Sequence, residues 1–141
     1  MILTQKDIAR LQGVHPDLVK VIYAAAAKTA QPFVVTEGER SNARQAELLK
    51  AGKSKTIKGR HVAANNACKL ACAVDLAIWH DRDADRVVDV DELSWKFPEY
   101  KALADVVKAA AAECNVVIEW GGDWTSLKDG PHFQLPWVRY P

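Results

Sequence analysis

The sequence predicts an α+β fold in which helices pack on a small antiparallel sheet. Three observations carry this expectation. Apolar residues recur at helical spacing over several stretches. Short β-branched or apolar runs are bounded by glycine and other turn residues. The elements come in the order helices, strand, helix, strand, helix, strand, strand, which suits helices laid against antiparallel strands.

Each element has its own signal. Leu3, Ile8 and Leu11 share one helical face that ends near Gly13. HPDLVKVIYAAAAKTA follows, with Pro16 in a first helical turn and Asp17 where a negative charge favours the helix dipole. Leu18, Val21, Ile22, Ala25 and Ala26 form its apolar stripe. PFVVTEG is a short strand closed by Gly38. SNARQAELLKAG is a helix from an N-cap at Ser41 to a stop at Gly52. KSKTIKGRH reads as a basic loop, and VAANNACKLAC as a loop or short helix. ACAVDLAIW is a nearly continuous apolar strand interrupted by Asp75, and DRDADRVVDVDE is an acidic turn. YKALADVVKAAAAEC is the clearest helix, with Leu103, Val106, Val107, Ala110 and Ala111 on one face. NVVIEWGG and HFQLPWV read as strands on either side of the turn KDGP.

A chain of 141 residues is expected to form one domain spanning 1–141. Its apolar share of 49% and charged share of 26% are those of an ordinary globular protein. A net charge of +1 leaves no electrostatic footprint for nucleic acid or an anionic membrane. No apolar stretch approaches the ~20 residues that span a bilayer, so membrane insertion is not expected. MILTQKDIARLQG carries charges where a signal peptide is apolar, so the chain is expected to be made in the cytoplasm. Cys68, Cys72 and Cys114 are odd in number and fit a reducing compartment better than a disulfide framework.

Among the four histidines, His15 reads as a helix cap and His80 as part of a surface turn. His61, after a basic loop, and His132, before a strand, are candidates for chemistry. Asp75 lies in a strand that is otherwise apolar, and a buried carboxylate needs a partner charge or a metal. Two imidazoles and one carboxylate make a zinc site with one position open; two unrelated histidines and a hydrogen-bonded core aspartate are the competing reading. Asp81, Asp83, Asp85, Asp89 and Glu92 follow a calcium-loop spacing, but Arg86 stands where that loop needs glycine. A solvated hairpin tip is therefore expected there rather than a calcium site. A second metal site at Cys68 and Cys72 lacks partners.

EGERSNARQAELLKAGKSKT, GRH, AVDLAIW and EWGGDWTSLKDGPHFQLP, in this order, resemble the L-alanyl-D-glutamate peptidases of phage endolysins. These belong with the zinc D-alanyl-D-alanine carboxypeptidases, and the resemblance runs from about residue 12 to residue 138. It implies that fold type, one zinc per chain held by His61, Asp75 and His132, and Asp129 as the catalytic acid and base. It also implies that Arg40, with Gln45 from the same block, binds a substrate carboxylate. The spacing from His61 to Asp75 is longer than the family's, so VAANNACKLAC looks like an added loop.

The implied activity is hydrolysis of the L-alanyl-D-glutamate bond of peptidoglycan stem peptides. Asp129 would take a proton from a water activated by zinc and pass it to the leaving amine; Glu119 is the fall-back base. Trp120, Trp124 and Trp137 could wall the cleft. The alternatives are a D-alanyl-D-alanine carboxypeptidase or dipeptidase of the same fold, or a non-catalytic wall-binding protein. Relatives of the carboxypeptidase kind use Glu-x-x-His, and Asp129 in Asp-x-x-His favours the first reading. A monomer that reaches the periplasm and cell wall through a separate holin-like pore-former completes the expectation.

Overall fold

The computed structural model describes residues 1–53 and 59–141; residues 54–58 of the basic loop lie outside them. Helix α1 (Gln5–Arg10) is opened by a capping box between Thr4 and Asp7. In α2 (Pro16–Lys28), the Nδ1 of His15 accepts a hydrogen bond from the Asp17 backbone N–H at 3.1 Å, so His15 is the cap it was expected to be. Strand β1 (Phe33–Glu37) and helix α3 (Asn42–Lys50), capped by Ser41, follow. A single 3₁₀ turn at Ala63–Asn65 is the only regular structure in the added segment among the described residues. Strand β2 (Ala73–Trp79) leads through the acidic turn to a 3₁₀ turn at Val90–Glu92 and to β3 (Leu93–Ser94). Helix α4 (Phe97–Glu113), β4 (Glu119–Trp120) and β5 (His132–Gln134) complete the chain.

The sheet is antiparallel throughout, in the order β1-β2-β5-β4, with β3 paired to the far end of β2. Alternation along the strands sorts two faces. Val74, Leu76, Ile78 and Phe133 join Leu18, Ile22, Leu103 and Val107 of α2 and α4 in the core. Asp75, His132, Gln134 and Glu119 alternate with these core residues and so stand on the opposite face.

Strand β1 is a sheet edge, and α1 covers it. The Val35 N–H donates to Asp7 Oδ1 at 2.8 Å, and the Val35 carbonyl accepts from Arg10 at 2.9 Å. A register shift between Val35 and Glu37 marks a β-bulge. Phe33 and Val35 face the core, and strict alternation would turn Glu37 inward as well. The extra residue instead sets Glu37 directly opposite Asp75. Since Asp75 also pairs with His132 on β5, one row across three strands reads Glu37, Asp75, His132.

Several expectations need correction. NVVIEWGG and HFQLPWV contain strands of only two and three residues. Helix α4 starts at Phe97, upstream of Tyr100. Strand β3 was not foreseen, because two residues carry no readable period. The acidic turn is a hairpin tip, but the argument from Arg86 fails: Arg86 adopts the left-handed conformation (φ +61°) for which glycine seemed necessary. His80 stays at the surface beside the acidic turn, with its Nε2 2.6 Å from Glu99 Oε1.

Candidate active site

The polar face of the sheet floors a cleft of about 850 Å³. His61, Asp75, His132 and Asp129 all line it, with Trp124 and Trp137 on its walls. Trp120 does not line it; it is buried behind the Asp129 turn, where its indole N–H donates to the Gly130 carbonyl at 2.7 Å.

His61, Asp75 and His132 place their ligand atoms within 4.8 Å of one another. The two imidazoles are oriented from behind. His61 Nδ1 donates to the Gly38 carbonyl at 2.8 Å, which leaves a lone pair on Nε2. That Nε2 is buried with no hydrogen-bond partner among the described residues, 3.3 Å from Asp75 Oδ1. His132 Nε2 donates to Gln134 Oε1 at 2.8 Å, which leaves a lone pair on Nδ1, also 3.3 Å from Asp75 Oδ1. Gln134 is itself fixed by donating to Glu119 at 3.3 Å. A carboxylate can only accept, so this chain of bonds settles which way the amide points. With both imidazoles neutral, two lone pairs and a carboxylate oxygen thus converge on one point. Such a group repels itself unless a proton or a metal ion sits inside it, and its donor set is that of a zinc or similar divalent ion.

Charge around the site follows from these contacts. Burial works against ionised Asp75, but His61 and His132 outweigh it and hold the carboxyl well below the usual aspartate range. Burial likewise works against a charged His132, and Asp75 outweighs it and raises the imidazole. Asp129 behaves in the opposite way. It keeps solvent access at the cleft mouth, yet crowding by the walls and then the charge of Asp75 hold its carboxyl above the ordinary value. Its backbone is clamped at both ends: the N–H donates to Gly121 at 3.0 Å, and the carbonyl accepts from His132 at 3.2 Å.

Arg40 lines the cleft, but its fork is occupied. Nε and Nη2 donate to the two oxygens of Glu37 at 2.8 and 2.6 Å, and Nη1 donates to Gln45 at 2.8 Å. Its Nη2 also lies 3.6 Å from the outer oxygen of Asp75. Gln45 is buried beneath it. Glu119 bonds Gln134 and does not line the cleft, so it is badly placed as a fall-back base. Glu37 and Gln134 escaped the sequence reading. The only signal for either is a polar residue at a strand end, and that signal is common.

The fold is a small α+β one shared with a solved L-Ala D-Glu endopeptidase, and its cleft carries a group of side chains that could hold a metal ion. The chain belongs to the family of phage L-alanyl-D-glutamate peptidases, whose profile matches residues 1–135. The peptidoglycan L-alanyl-D-glutamate endopeptidase CwlK of Bacillus subtilis is 30% identical over 138 residues, covering 92% of this chain and 78% of CwlK. The crystal structure of the L-Ala D-Glu endopeptidase ChiX of Serratia marcescens superposes with a TM-score of 0.80 at 40% identity, covering 97% of this chain and 91% of ChiX.

Proposed function

We propose that this chain hydrolyses the L-alanyl-D-glutamate bond of peptidoglycan stem peptides with one zinc ion held by His61, Asp75 and His132, and with Asp129 as general base and acid. The observation that carries the reading is the convergence of two imidazole nitrogens and a carboxylate, each imidazole already held through its other nitrogen by Gly38 or Gln134. Bound there, zinc supplies Lewis acidity that acidifies water and polarises an amide carbonyl.

The chain's own groups divide the remaining work. Gly38 and Gln134 fix the tautomers of His61 and His132, so that neither needs to reorient on loading. Asp129 stands on the turn that also delivers His132, and its carboxyl, raised by crowding and by Asp75, takes a proton from water and releases it to the departing amine in this reading. Arg40 holds Asp75 in place through the Glu37 pair. A direct grip on a substrate carboxylate by Arg40 requires Glu37 to give way. Lys53 and Lys128 also line the cleft and could meet carboxylates of the stem peptide.

The biological setting in this reading is phage-directed lysis. The chain acts on the wall from the periplasmic side, as a monomer, after a separate pore-former has opened the inner membrane. Among the described residues no helix is long and apolar enough to cross a membrane. Metal content tests the centre. Purified protein should hold one zinc per chain, and His61→Ala, Asp75→Ala and His132→Ala should each lose it. Full zinc and full activity in His61→Ala would remove His61 from the site.

A further inference from the structure

Cys68 and Cys72 lie in the segment that lengthens the path from His61 to Asp75, and their sulfurs are 3.9 Å apart. Cys68 is exposed and Cys72 is fully buried. The segment is already folded back on itself. Asn66 Nδ2 donates to the carbonyls of Arg60 and Leu70 at 3.1 and 2.7 Å, and Asn66 Oδ1 accepts from Arg60 at 2.7 Å. Lys69, in the left-handed region at φ +59°, lies between the two cysteines. Cys72 is pinned at both backbone ends, its N–H donating to Arg60 and its carbonyl accepting from Leu135, each at 2.9 Å. Cys68 is the exposed partner, and the 3.9 Å between the sulfurs has to close to the ~2.05 Å of a disulfide. The third cysteine, Cys114, sits at the end of α4 against Lys20 and takes no part.

We infer that Cys68 and Cys72 form a redox pair that closes to an intrachain disulfide when the chain meets a small-molecule disulfide in an oxidising compartment, stapling the 68–72 turn at the base of β2. The chemistry is thiol–disulfide exchange. The Cys68 thiolate forms a bond to one sulfur of the small disulfide, whose S–S bond breaks and expels a thiolate. The Cys72 sulfur then bonds to the Cys68 sulfur and expels the second small thiolate. The protein dithiol is oxidised, the small disulfide is reduced, and the two thiol protons leave on the two released thiols. Burial pushes the Cys72 thiol up to about 11, which leaves Cys68 as the entering nucleophile. The consequence is local to the site, because the stapled turn lies in the segment that joins His61 to the strand that carries Asp75. The inference is independent of which bond the enzyme cuts.

The test uses the full chain carrying Cys114→Ser, kept metal-loaded and equilibrated in a glutathione buffer of oxidising poise. Both remaining thiols should disappear together, with an intact mass lower by two hydrogens and no glutathione adduct. Tm should rise by about 5 °C over the reduced form, as closing a short loop predicts. Adding Cys68→Ser should abolish the shift, and this exposed position leaves the fold intact. Two free thiols, a lasting glutathione adduct on Cys68, or a disulfide-linked dimer would each overturn the pairing. A closed bond with unchanged Tm would overturn the staple.

Discussion

Asp75 and Asp129 are two carboxylates in one cleft, and their surroundings push them apart. Asp75 faces two imidazoles and stays ionised; Asp129 faces crowded walls and the charge of Asp75, and its carboxyl is raised. Such a split suits the proposed roles of Asp75 as ligand and Asp129 as base. Asp129→Asn should keep zinc and the fold while lowering turnover by ~10²–10⁴-fold; near-normal lysis with zinc bound would sink the mechanism. The raised carboxyl also fixes two signs. Activity should fall as pH drops through the Asp129 value, giving an acid limb above the ordinary aspartate range. In the metal-free protein, an acid whose folded pKa is raised loses its stabilising contribution as pH rises through that value. Asp129→Asn should therefore match or exceed the wild-type Tm at neutral pH. Arg40 separates two roles. As a support for Asp75, Arg40→Ala should weaken metal affinity by ~10–100-fold; a raised KM at unchanged metal affinity would return it to the substrate.

The elements that matter most are those that place these residues, and they were unevenly legible. Helices α2 and α4 were readable because a long apolar stripe repeats its signal many times. Strand β2 was readable from its apolar run, and Asp75 within it was the clearest single clue to a site. The bulge in β1 was not readable, since nothing in VVTE distinguishes Glu37 turned inward from Glu37 turned to Asp75. The Asp129 turn depends on a close approach. A Cβ on Gly121 would lie 2.4 Å from the Asp129 carbonyl oxygen, a backbone atom that cannot move aside cheaply. Gly121→Ala should displace the turn, cutting turnover at least tenfold and lowering Tm. Wild-type turnover and Tm in that variant would show that the clamp does not position Asp129.

On the scale of the whole molecule, the proposed metal centre joins strands β2 and β5 to the 59–61 loop, so loading should stabilise the fold as well as arm it. Metal at about one hundred times its Kd adds ~2.7 kcal/mol, so chelation should lower Tm by several degrees and re-addition should restore it. The four residues of the proposed centre were legible because spaced motifs fall in a recognisable order. Their supports, Glu37 and Gln134, were not, because what matters is their position across the sheet. End-group analysis of digested peptidoglycan tests the central claim most directly. New amino-terminal glutamate and new carboxy-terminal L-alanine on the muramyl side should appear in step with lysis. Release of free D-alanine without those ends would contradict it.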